Sequence, residues 1–258
     1  MFIGLDLGSR SVKLALLEND LLIRLDKFDT MRFYREHGKR EGGRLVIDAA
    51  SLELSSGDPI ITATGYGRQA VNVKGARIIP EIKAHVLGAV YLTGLTDFTL
   101  LDLGGQDSKV ALVRQGRLND FLTNDKCAAS TGRYLENMAA ALNISMEELS
   151  RHRREPAELT STCAVFGESE LIGFVVEGYS TASLAAGVNY SIYKRIKPML
   201  VKLSSDTIVI TGGVANNGAL VEIIREELGR EVVVPAHPQY AGAVGCCVDA
   251  AASRSSTK

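Results

Sequence analysis

Apolar runs, each closed by a glycine-rich polar turn, recur along this chain and set its predicted element pattern. Residues 2–7 (FIGLDL) predict a strand that ends in the turn Gly8-Ser9-Arg10-Ser11. Residues 12–17 alternate less cleanly but predict the second arm of a hairpin. Residues 60–64 predict another short buried strand, closed by GYGR at 65–68. Pro80 precedes a helical stretch over 81–92, which suits proline's place in the first turn of a helix. The opening pattern then returns: an apolar run over 99–103, the turn GGQDS, and a second apolar run over 109–113. GLDLGSRSVKLALL and LLDLGGQDSKVALV share strand, Asp, apolar residue, Gly, polar turn, Lys and strand in that order. A duplication at this distance predicts two similar lobes. A third glycine turn, in IVITGGVANN (208–217), closes a buried strand and opens a helix over 218–228. AGAVGCCVDAA, from 241, predicts a small-residue helix fit for close packing, and 253–258 a frayed tail. No low-complexity linker marks the boundary. Placed near Leu95, it gives a first lobe of 1–95 plus 242–258 and a second of 96–241.

Composition changes this picture little. The 258 residues are 46% hydrophobic and 23% charged, ordinary for a folded soluble protein able to bury a substantial core. A net charge of -1 offers no electrostatic case for nucleic acid or an anionic membrane. The N-terminal apolar stretch is broken by Asp6, Arg10 and Lys13, with no basic leader and no small-residue cleavage site. No stretch runs apolar long enough to span a bilayer. The expectation is a cytoplasmic protein that engages neither nucleic acid nor membrane. In that reducing compartment the four cysteines, Cys127, Cys163, Cys246 and Cys247, are free for metal binding, catalysis or packing.

An Asp before each repeated turn has a chemical use. Gly- and Ser-rich hairpin turns offer backbone N–H groups to phosphate oxygens with no Cβ in the way. A carboxylate at the strand end holds hydrated Mg²⁺ or orients an attacking water. Asp6 and Asp102 occupy these places. Lys13 can add charge at a terminal phosphate, and Gln106 can orient a water. Thr211, Gly212 and Gly213 supply a third close approach, suited to the α-phosphate and ribose edge. One such turn alone is most often a tight hairpin and nothing more. No G-x-x-x-x-G-K-[ST] is present, so the chain is not a P-loop protein.

Cys127 precedes a predicted helix from Ala128 to Ala139, with Asn124 or Asp125 as N-cap, and Cys163 precedes another from Ala164 to Ile172. Helix N-termini lower a thiolate's pKa and favour an anionic ligand such as an iron–sulfur cluster. Two isolated cysteines are also commonly plain core. A cubane needs four thiolates. Cys246 and Cys247 are poor completers, because helix neighbours point about 100° apart, and they read as core. A twofold dimer supplies the count with Cys127 and Cys163 from each subunit. The run RHRR at 151–154 reads as a solvated face, and His85 and His237 as lone histidines without ligand spacing.

GLDLGSRSVK, LLDLGGQDSK, VITGGVANN and AGAVG, in that order, resemble the phosphate motifs, adenosine motif and final connecting helix of the actin–hexokinase–chaperone ATPase superfamily. That resemblance covers nearly the whole chain. It implies an α/β, two-lobed, ribonuclease H-like fold with duplicated sheet lobes and ATP/ADP with Mg²⁺ between them. Asp6, Asp102 and Gln106 would handle metal and water. Gly8, Ser9, Arg10, Ser11, Lys13, Gly104 and Gly105 would hold phosphates, and Gly212, Gly213 and Asn216 would lie near the nucleoside. Gln239 and Tyr240 either line the cleft or pack it.

More narrowly, NDKCAASTGRYLE and STCAVFGESE resemble the two cluster-binding segments of the activators of 2-hydroxyacyl-CoA dehydratases. That family includes ATPase subunits of benzoyl-CoA reductase and reductases of double-cubane cluster proteins. GYGR and DLGGQDSK also fit it, whereas Ser130 stands where glycine is expected, Gly167 where alanine is, and region 26–56 matches least. The resemblance implies a homodimer with one [4Fe-4S] cluster shared between two subunits on Cys127 and Cys163. ATP hydrolysis would drive an electron from a ferredoxin or flavodoxin into an electron-accepting iron–sulfur protein. A small-molecule kinase of the same fold and a non-redox regulatory ATPase are the alternatives. The colour of anaerobically purified protein separates them from the cluster protein.

Overall fold

The computed structural model describes residues 1–48, 52, 59–124, 131–160 and 164–255. The chain divides into two compact units: Met1–Thr96 with Gln115–Arg117 and Tyr240–Lys258, and Asp97–Arg114 with Leu118–Gln239.

In the first unit the chain runs β1 (Phe2–Leu7), β2 (Ser11–Glu18), β3 (Leu21–Asp29), α1 (Thr30–His37), β4 (Gly38–Glu41), β5 (Arg44–Ile47), β6 (Ile60–Thr64), β7 (Val71–Val73), β8 (Arg77–Ile78) and α2 (Glu81–Thr93). One sheet has the order β3-β2-β1-β6-β8, with β3, β2 and β1 antiparallel and β1, β6 and β8 parallel. A smaller sheet pairs β4, β5 and β7. β1 is covered on both faces, which is why it is nearly all apolar. Ile3, Leu5 and Leu7 pack with Phe33 and Ile47. The alternate residues Gly4 and Asp6 face the chain's last helix, α8 (Ala241–Ser255). α8 lies so close to α2 that a Cβ on Gly245 would strike the Ala84 carbonyl. Small residues there are a condition of the packing. Cys246 and Cys247 are wholly buried, as expected of core residues. α8 is tied down by buried Asp249, which binds Arg77 and, at 2.8 Å, Lys83.

The second unit contains β9 (Phe98–Leu103), β10 (Ser108–Arg114), β11 (Arg117–Asn124), α3 (Gly132–Ala141), α4 (Met146–Leu149), α5 (Ala164–Val176), α6 (Thr181–Lys202), β12 (Thr207–Thr211), α7 (Gly218–Leu228) and β13 (Glu231–Val233). Its sheet order, β11-β10-β9-β12-β13, repeats the first. β9 is antiparallel to β10 and parallel to β12, and β12 is parallel to β13. The predicted duplication is therefore a duplication of whole sheets. Leu101, Leu103, Tyr134, Leu184, Ile192 and Ile210 anchor one core beneath this sheet.

Three element expectations are corrected. α3 begins at Gly132 behind the extended Thr131, and Asn124, one of the two expected caps, ends the edge strand β11, whereas Asp125 and Ala128 lie outside the described residues. α5 extends beyond Ile172 to Val176. Of the expected frayed tail over 253–258, residues 253–255 continue α8, where the Ser253 hydroxyl donates to the Asp249 carbonyl at 2.8 Å, and 256–258 lie outside the described residues. Among the described residues no helix is long and apolar enough to cross a membrane.

Candidate functional site

In the first unit the β1–β2 hairpin sets Asp6 opposite Lys13 in register. Asp6 is 3% exposed, and the Lys13 ammonium lies 3.6 Å from its Oδ2. Gly8, Ser9 and Arg10 form the turn, and Ser11 opens β2. Lys13 Nζ also overhangs Gly8, because a Cβ there would lie 3.2 Å from it. Thr30, the first residue of α1, donates its hydroxyl to the Gly8 carbonyl at 2.8 Å. Tyr34, one turn on, packs its hydroxyl against Gly67. Burial, and then the Asp6 charge, raise its pKa above the ordinary tyrosine value. Region 26–56 thus places two residues beside this turn. No motif announces this, because a helix of this length carries no phosphate signature.

The second unit builds the same hairpin. Asp102 is opposite Lys109 and 2% exposed. Lys109, unlike Lys13, forms a close ion pair with an aspartate of the turn itself, Asp107. The Gly104 N–H donates to the Asp107 carbonyl at 3.0 Å, closing the turn, and Gln106 is exposed at its tip. The carbonyls of Gly104 and Gly105 accept the first two N–H groups of α3, from Gly132 at 2.9 Å and Arg133 at 3.2 Å. Helix starts leave such donors without intrahelical partners. The phosphate-type turn itself caps α3, a role that the sequence had assigned to Asn124 or Asp125.

A second duplication flanks each Asp. β6 and β12 each run parallel beside the Asp strand, and both end in Thr-Gly followed by a 3₁₀ turn, Tyr66–Gln69 and Gly213–Asn216. Gly65 (φ 97°) and Gly212 (φ 85°) adopt the same left-handed geometry. A Cβ would meet Asp6 Oδ1 at 2.6 Å in the first and Asp102 Oδ1 at 2.9 Å in the second. Each Asp is therefore walled by bare glycine backbone. Lining up ITATGYG with IVITGGV would have exposed this repeat. Thr211, expected only as part of the third glycine turn, donates its hydroxyl to Asp102 Oδ1 at 3.1 Å. The Asn216 amide turns back to the Gly213 carbonyl at 3.1 Å and so shapes its own turn. Gln239 lies in the 3₁₀ turn Pro238–Tyr240, whose Pro238 carbonyl accepts the Gly212 N–H at 3.1 Å.

The geometry brings Asp6, Gly8, Ser9, Arg10, Ser11 and Lys13 together in one unit. It brings Asp102, Gly104, Gly105 and Gln106 together with Gly212, Gly213, Asn216 and Gln239 in the other. Cys127, Cys163 and Ser130 lie outside the described residues. Among those described, no group of three or more His, Cys, Asp or Glu side chains is placed to hold a metal ion. Burial pushes the Cys246 thiol well above its ordinary pKa, and the Cys247 thiol to about 12, which suits core residues and not ligands.

Comparison with known proteins gives these turns a setting. The BadF/BadG/BcrA/BcrD ATPase family model matches residues 3–250. A 2-hydroxyisocaproyl-CoA dehydratase activator of Clostridioides difficile is 37% identical over 194 residues, 73% of this chain and 72% of its own. The solved structure of the activator of the 2-hydroxyisocaproyl-CoA dehydratase from Clostridium difficile, with bound ADPNP, has a TM-score of 0.84 at 30% identity. It covers 100% of this chain and 98% of its own. MreB 5 of Spiroplasma citri, bound to AMPPNP, shares the fold at a TM-score of 0.56 and 14% identity, with 99% and 97% covered. The duplicated α/β sheets are those of the actin-like ATPase fold, as the motifs predicted.

Proposed function

The chain belongs to the BadF/BadG/BcrA/BcrD ATPase family, and from that premise we propose that it hydrolyses ATP to pass a low-potential electron to a partner. That partner would be a 2-hydroxyacyl-CoA dehydratase or a double-cubane cluster protein, with a ferredoxin or flavodoxin as electron source. The observation that carries this reading is the pair of bonds from the Gly104 and Gly105 carbonyls to the start of α3. They join a phosphate-type turn to the helix that follows Cys127 in the chain.

Asp6, Asp102 and Gln106 would place Mg²⁺ and water. Gly8, Ser9, Arg10, Ser11, Lys13, Gly104 and Gly105 would hold phosphates, and Gly212, Gly213, Asn216 and Gln239 would line the nucleoside side. A [4Fe-4S] cluster, held by Cys127 and Cys163 of two copies, would supply one-electron chemistry at low potential. Two features of the described residues support a shared site. α3 and α5 pack on each other, with a Cβ on Gly167 lying 3.4 Å from Met138 Sδ. α5, which starts one residue after Cys163, leaves Phe166, Ile172, Val175 and Val176 exposed. Such an apolar face favours burial against a second copy.

The test is anaerobic purification with iron and sulfide analysis. The expected result is about four irons per dimer, or two per chain, lost in Cys127→Ser and in Cys163→Ser and retained in Cys246→Ser. Iron chelation should run faster with a non-hydrolysable ATP analogue than with ADP. A colourless, iron-free protein that still hydrolyses ATP would refute the electron-donor reading.

A further inference from the structure

Asp6 and Asp102 hold the same place in the duplicated sheets, but the threonines beside them spend their hydroxyls differently. Thr211 is the register partner of Asp102 and gives its hydroxyl to that carboxylate. Thr64 is the register partner of Asp6, but its hydroxyl donates to the Ile79 carbonyl at 2.9 Å. A hydroxyl has one proton, so Thr64 has none left for Asp6. A carboxylate only 3% exposed is costly without hydrogen-bond donors. Lys13, at 3.6 Å, is an ion-pair partner beyond close hydrogen-bond length.

A different element brings a ring nitrogen to the same side of Asp6. His85, on α2, is 5% exposed. A Cβ built on Gly242 of α8 would lie 2.9 Å from His85 Nε2 and 3.1 Å from Asp6 Oδ2. The ring nitrogen and the carboxylate oxygen therefore border one methyl-sized space, which only glycine at 242 leaves open.

We propose that His85 is the positioning residue of Asp6. Its Nε2–H does in the first unit what the Thr211 hydroxyl does in the second. This rests on the reading of Asp6 as part of an ATP-hydrolysing site. The role is a donated hydrogen bond that fixes the plane of the carboxylate, and no change of charge on the ring is involved. With Gly65 against Oδ1 and His85 and Lys13 at Oδ2, the carboxylate is held from both sides.

Two amide substitutions separate positioning from packing, because the ring nitrogens are distinct. Glutamine carries its amide nitrogen near the Nε2 position, and asparagine near Nδ1. In the full-length chain, His85→Asn should lower kcat for Mg²⁺-ATP about 10- to 100-fold, the usual cost of losing an outer partner of a site residue, with KM unchanged. His85→Gln should recover most of kcat. Equal losses in both, or a change in KM alone, would overturn the proposal. Nitrogen-15 NMR of the imidazole gives a readout that needs no turnover. The expected result is a proton on Nε2 whose resonance moves in Asp6→Asn. A proton on Nδ1 alone, or a resonance indifferent to Asp6→Asn, would equally overturn it. A wild type with that coupling but without ATP hydrolysis would instead count against the ATPase reading and leave the Asp6–His85 contact standing.

Discussion

Replacing Thr211 by valine removes one hydroxyl and little else from the most buried part of the second unit. Thr211 is 0% exposed and Asp102 2%, so water cannot take over the lost donor. A hydrogen bond to a charged group contributes about 1.5–3 kcal/mol, and the expected loss of stability is about 2 kcal/mol. For a chain of this size that lowers Tm by about 4–8 °C. The duplication supplies an internal control. Thr64→Val, at the equivalent site, removes a bond to a neutral carbonyl, worth about 1 kcal/mol. Urea unfolding of both variants, and of each combined with Asp102→Asn, closes a double-mutant cycle. Thr211→Val and Asp102→Asn should couple by about 1 kcal/mol, because the amide weakens the bond. Thr64→Val and Asp102→Asn should be additive. The reasoning fails if the two threonine variants are equally stable or if the first cycle shows no coupling.

Asp102→Asn should also cut Mg²⁺-dependent ATP turnover by at least about tenfold; unchanged turnover measured by phosphate release would remove Asp102 from the reaction. At alkaline pH the buried thiols set a limb of the stability profile. Burial raises the folded Cys247 thiol from an ordinary 9.0 to about 12, and raises Cys246 as well, so both favour the neutral form in the folded state. Their contribution is complete below about pH 9 and is lost as pH rises toward 12. Tm against pH should therefore fall less steeply over that range when both are alanine, and parallel limbs would refute this.

The parts of the site that were legible in the sequence are those written as local patterns. The Asp-x-Gly turns, the glycine turn at 212 and the small-residue closing helix each leave a contiguous signature, and each has the expected secondary structure. What was illegible depends on pairing across the sheet or between layers. Thr211 matters because β12 runs beside β9, and Thr64 differs from it only through the path of the chain at Ile79. Thr30 and Tyr34 reach the first turn from a helix in the least recognisable region. His85 reads as a lone histidine until α8 is laid against α2. The start of α3 was misplaced because Asn124 and Asp125 are good caps by type, whereas the observed partners of its first N–H groups are carbonyls about 28 residues earlier in the chain.

The bonds at that helix start fix more than the helix. In a trans peptide the C=O and N–H lie on opposite edges of one plane. With the Gly104 and Gly105 carbonyls turned onto α3, the N–H groups of Gly105 and Gln106 must face the other way. Both donors are thus aimed in advance, away from the helix and to the same side of the turn. An anion arriving there would meet a concavity already set, with little rotational freedom left to surrender. Seen this way, α3 is the backing plate of an anion cradle, and any tilt of its first turn would swing the cradle's donors with it.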